Sequence, residues 1–156
     1  MKDLSALISQ IEQAFAAVQL EEGIGLGEAD AVDSYADAAT RAARREKDEK
    51  QSWKRISSAD LNHYYCSLSF FDAKGMRFHL PAFMIAEIKG EYRFGMAFAL
   101  TQLSDYSKSQ FSLLTTQQRK AVCSFLEWLA ESPDYEFERT AIKDALEKYW
   151  LKTSGF

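Results

Sequence analysis

The chain has 156 residues, of which 47% are hydrophobic and 13% aromatic, enough to fill one core, and a single domain over 1–156 is expected. The net charge is −4 and no run of 18 uncharged apolar residues occurs, which excludes a helical membrane span and gives nucleic acid no basic face to bind. Charge is uneven: residues 1–40 hold eight acids against Lys2, residues 41–60 hold seven bases and four acids, and the remainder balances. The first residues lack the apolar block of a signal peptide, so a cytoplasmic protein is expected. Cys66 and Cys123 sit in apolar surroundings and read as free, structural thiols rather than a disulfide pair.

Along residues 3–19, Leu4, Leu7, Ile8, Ile11, Phe15 and Val18 form one stripe, which predicts an amphipathic helix. Gly23, Gly25 and Gly27 follow. No strand precedes them and no Lys-Ser or Lys-Thr comes after, so they lack the setting of a phosphate loop and read as a flexible connector. Residues 28–52 predict a partly exposed charged helix, with Val32, Tyr35, Ala36, Ala39 and Ala43 free to pack and Arg44 to Lys50 a solvated, mobile extension. Trp53 and Ile56 return the chain to the core. Ser57 to Asp60 is a capping box that opens a helix through Leu61, Tyr64, Tyr65 and Leu68. His63 and Cys66, three apart on it, have metal-like spacing but no nominable further ligands, so no metal or other cofactor is expected.

Ser67 to Ile88 is the most apolar and least interrupted stretch. Leu80, Phe83, Met84 and Ile88 share a helical face, and the residues between them are apolar on most sides, as in a buried central helix. Pro81 lacks an amide hydrogen, which predicts it as the first helical residue, with Asp72-Ala73-Lys74-Gly75 a tight turn before it. Phe71, Gly75, Arg77, Phe78, Leu80, Pro81, Ala82 and Phe83 spell a Gly-x-Arg-aromatic-x-Leu-Pro-Ala-aromatic pattern. It resembles the hallmark of a bacterial domain family of unknown function. Trp53, Leu61, Leu114, Thr115, Gln118, Arg119, Phe125 and Leu126 are also similar to that family, which supplies no functional residue to carry over.

Beyond Gly90, residues 92–103 fit a helix through Met96, Ala99, Leu100 and Leu103, with a short strand as the alternative. Ser104 to Ser112 reads as a loop. Thr115 to Gln118 is a capping box before the stripe Ala121, Val122, Phe125, Leu126 and Leu129; Pro133 ends that helix, and Tyr135 to Leu151 forms a last one. The fold class expected is all-α, a bundle of about five or six helices around the central one.

No nucleophile carries a local activation motif. A non-enzymatic protein-binding protein is therefore expected, such as an immunity-type protein that neutralises a basic toxin or effector. Its binding surface would be the acidic cluster Glu21, Glu22, Glu28, Asp30 and Asp33, whose field steers a basic partner. The alternative is a small enzyme or ligand-binding domain with a pocket at Asp72, Arg77 and His79, the polar residues of the most apolar segment.

Overall fold

The computed structural model describes residues 4–152, and every regular element among them is helical. α1 (Leu4–Ala14) buries Leu7 and Ile11 and ends before the expected limit; Asp3 lies outside the described residues. The chain turns because Val18 N donates to the Phe15 carbonyl at 3.2 Å, which leaves Phe15 fully buried. Trp53 then clamps the turn by donating Nε1 to the same carbonyl at 2.9 Å.

The expected charged helix over 28–52 is two helices, α2 (Leu26–Asp33) and α3 (Ala38–Lys47), which pack on one another. The break has local causes. Tyr35 takes a φ of +57°, and the Asp37 carboxylate accepts from Thr40 N at 2.8 Å, starting a new helix. Tyr35 consequently points outward at 97% exposure, and Ala39 and Ala43 are exposed too. Nor is Arg44 to Lys50 a loose extension. Arg45 donates to the carbonyls of Glu21 and Gly23, and Lys50 Nζ caps the end of α3 through the carbonyls of Arg45, Glu46 and Asp48.

A 3-10 turn at Trp53–Arg55 leads to α4 (Ser58–His63), capped by Ser57, and a second 3-10 segment follows at Tyr65–Ser69. The central helix, α5 (Ala73–Ile88), begins eight residues before Pro81, not at it. Asp72 is the reason: its Oδ1 accepts from Gly75 N at 2.8 Å, so the presumed turn is the first turn of the helix. Pro81 thus sits mid-helix, where the lost hydrogen bond and ring clash cost about 3 kcal/mol. Burial offsets this, since Phe78, Leu80, Phe83 and Met84 are all fully buried and each contributes about 1.5–3 kcal/mol.

Between residues 92 and 103 only α6 (Ala97–Thr101) is helical, because Gly90 and Gly95 each take a φ of +75° and turn the chain. Met96 and Leu100 are fully buried as the pattern requires. The expected loop at 104–112 contains α7 (Asp105–Gln110), capped by the Ser104 hydroxyl accepting from Ser107 N at 3.2 Å. α8 (Thr116–Glu131) has its capping box in place, with Gln118 Nε2 also reaching the Ala14 carbonyl at 3.2 Å. α9 (Arg139–Ala145) runs into a π-helical turn at Leu146–Trp150.

The architecture is all-α, with nine α-helices among the described residues where five or six were expected, because the Asp37 cap splits the expected 28–52 helix and the Ser104 cap starts a helix in the expected loop. α5 runs through the middle against α1, α4, α7 and the Trp53 turn, while α8 joins α1 to α9. The α2–α3 pair closes one end by packing on the Tyr65–Ser69 segment.

Candidate ligand and partner clefts

The glycine-containing bend is held by carboxylates. Asp48, just past α3, accepts from the N-terminal amides of α2, Gly27 N at 2.8 Å and Glu28 N at 3.0 Å. Asp72 accepts from Ile24 N at 2.9 Å while capping α5. A Cβ on Gly23 would stand 2.7 Å from Gly75 N, so the two backbones meet where only glycine fits. The flexible connector of the sequence reading is a clasp.

This arrangement changes the meaning of the acidic cluster. Glu21 pairs with Arg77 at 3.1 Å and Lys74 at 3.3 Å, and Glu22 with Lys74 at 2.5 Å. Glu28 pairs with Arg45 at 3.5 Å and Arg41 at 3.8 Å and accepts from Gly25 N, and Asp30 pairs with Arg44 at 3.2 Å. The first four acids therefore neutralise the chain's own cations rather than project a free negative field. Asp33, at the end of α2, has no ion pair among the described residues.

Asp72, Arg77 and His79 do not meet in a pocket. Asp72 caps, Arg77 pairs with Glu21, and His79 is completely buried, stacked on Phe71 with ring centroids 4.2 Å apart. The Gly75 carbonyl lies 2.7 Å from Nδ1, and a carbonyl only accepts, so Nδ1 carries the proton and Nε2 is a buried lone pair without a partner among the described residues. Burial pushes the His79 pKa down to about 4, which keeps the ring neutral at physiological pH.

Two clefts lie elsewhere, on either side of the Tyr92–Gly95 strip. The larger, about 540 Å³, has a mostly apolar floor that includes Leu68, Phe70 and Ala99, and Cys66 is half-buried in its wall. Four aromatics lining it are solvent-exposed: Tyr65 at 44%, Phe94 at 50%, Phe98 at 74% and Tyr106 at 56%. Tyr65 and Phe94 stack at 3.9 Å, and Tyr106 Oη donates to the Ser69 carbonyl at 2.8 Å, so the rim is braced. Asp33 also lines this cleft. A hydrogen bond with the Cys66 thiol holds the Tyr65 phenol above its usual pKa.

The second cleft, about 470 Å³, has Glu87 in its wall. This carboxyl is 8% exposed, and its Oε1 accepts from Met96 N at 2.7 Å. No Lys or Arg pairs with it among the described residues, and burial pushes its pKa up to about 7. In the sequence Glu87 is the one charged residue between Arg77 and Lys89, and its neighbours there give no sign of a partner. The free Cys123 is buried away from both clefts, its thiol pushed up to about 11 by that burial.

No group of three or more metal-ligating side chains gathers among the described residues, and no helix there is long and apolar enough to cross a membrane. No curated protein and no solved structure matches the chain. A family of unknown function, DUF6714, matches residues 3–154, nearly the whole length, and the residues that carried the sequence resemblance fall inside that match. The chain belongs to this family of unknown function.

Proposed function

We propose that this is a binding protein that seats a protein segment presenting an apolar anchor beside a basic residue. The observation that carries the reading is the ring of four exposed aromatics, Tyr65, Phe94, Phe98 and Tyr106, around one apolar cleft. Rigid aromatic side chains around a dry floor are what protein contacts use as anchoring points, and a soluble surface rarely leaves such a group uncovered. Asp33 supplies the charge complement for the basic neighbour of the anchor. Neutralisation of a basic toxin or effector by an immunity-type protein is one form such binding takes, with the aromatic cleft rather than the paired acids as its centre.

The test is affinity capture with the full chain and with the variant carrying Phe98→Ser and Tyr106→Ser, both checked for helicity by circular dichroism. A partner held by the parent chain and released by the double variant, and weakened by Asp33→Lys in a salt-dependent way, is the expected result. Capture of no protein, or capture that ignores all three substitutions, overturns the reading.

A further inference from the structure

We infer that the second cleft is a site for an organic cation of the methylated-ammonium class, with Glu87 as its counter-ion. A carboxyl as buried as Glu87 normally finds a cation in its own chain, because an unpaired charge away from water is costly. Among the described residues Glu87 has only the Met96 amide, on one of its two oxygens. Its other oxygen, Oε2, lies toward the cleft strip, 3.5 Å from where a Cβ on Gly95 would stand, with Tyr135 Oη 2.7 Å from the same point. Gly95, at a φ of +75°, carries no side chain there, so the Tyr135 hydroxyl comes in close beside the Glu87 carboxylate.

The walls select the kind of cation. Tyr92, Phe94, Trp128 and Tyr135 all line this cleft, and aromatic faces attract a diffuse, weakly hydrated cation. A hard metal ion would need several oxygen ligands, and only Glu87 and Asp134 among the lining residues are carboxylates. The cation among the lining residues is Arg93, exposed, with its guanidinium carbon 6.0 Å over the Phe94 ring, so the ammonium enters on the side of Glu87, Trp128 and Tyr135.

The experiment uses the full chain at pH 8 with choline, and with 3,3-dimethylbutan-1-ol as its uncharged isostere, followed by calorimetry and by tryptophan fluorescence. Trp53 and Trp150 are buried, so Trp128 is the indole placed to report the site. Choline should bind at least about tenfold more tightly than the alcohol, the order expected for a desolvated cation on aromatic faces. Glu87→Gln keeps the acceptor for Met96 N and removes the charge, and should abolish the preference; Trp128→Leu should weaken choline while leaving the fold intact by circular dichroism. Equal binding of the two probes, absence of choline binding, or a preference that survives Glu87→Gln overturns the inference.

Discussion

Replacing Glu87 by Gln gives a stability change whose pH dependence follows from burial, which outweighs the opposing hydrogen bond from Met96 N. The carboxyl is raised from its ordinary 4.5 to about 7, so between those values the folded protein holds a proton that the unfolded chain has lost. Stability contributed at this position therefore falls as pH rises from 4.5 to 7, by about 3 kcal/mol in all, and is level outside that window. Glutamine cannot ionise but still accepts from Met96 N. Urea unfolding of both proteins from pH 4 to pH 8 should thus show no pH-dependent gap below about 4.5, and a gap growing in favour of the variant to about 3 kcal/mol above pH 7. His79 acts oppositely, since its pKa is lowered to about 4: its contribution is full above 6.5 and is lost as pH falls through 4. In the parent chain the two slopes oppose one another, and Glu87→Gln should expose the rise due to His79. A difference between the two proteins that is constant with pH, or that favours the parent above pH 7, would refute the reasoning.

His79→Phe should keep the stack on Phe71 and flatten the remaining loss of stability between pH 6.5 and 4, read by the same titration. Phe83→Ala, at a fully buried position in α5, should cost about 3–5 kcal/mol and lower the melting midpoint accordingly; an unchanged midpoint would place that ring outside the core. Asp48→Ala removes the acceptor for two amides at the start of α2 and should cost about 1–2 kcal/mol by urea unfolding. Glu28→Lys should also destabilise, because Glu28 accepts from Gly25 N and pairs with Arg45, whereas Asp33→Lys should leave the unfolding midpoint unchanged.

The helical class and the buried central stretch were legible because periodicity and apolar content are local signals. So were the caps at Ser57 and Thr115. Pro81 misled because a proline is read against its neighbours in sequence, while Asp72, nine residues before it and bonded to Ile24 across the fold, decides where α5 begins. Residues that carry the family resemblance explain the fold more than the site: Phe71, Gly75, Phe78, Leu80, Pro81, Ala82 and Phe83 are all buried. Arg119, from the same pattern, lies 4.8 Å over the Trp150 ring and 4.5 Å over Tyr149 and so fastens the π-helical turn at Leu146–Trp150 to α8. Both clefts escaped the sequence because their walls come from segments far apart in the chain, and no spacing rule joins Glu87 to Trp128 or Asp33 to Phe98.

The glycine clasp has a kinetic consequence. The amides of Ile24, Gly25, Gly27 and Glu28 each donate to a side-chain carboxylate rather than to water or to a neighbouring carbonyl. In a loop with three glycines in five residues these amides would ordinarily exchange with deuterium within moments and offer a protease an easy cut. Here their release requires Asp48, Asp72 and Glu28 to let go, and the first two of these carboxylates hold the starts of α2 and α5. Opening the loop is therefore tied to unseating two helices, so its exchange should be slow and should follow global unfolding.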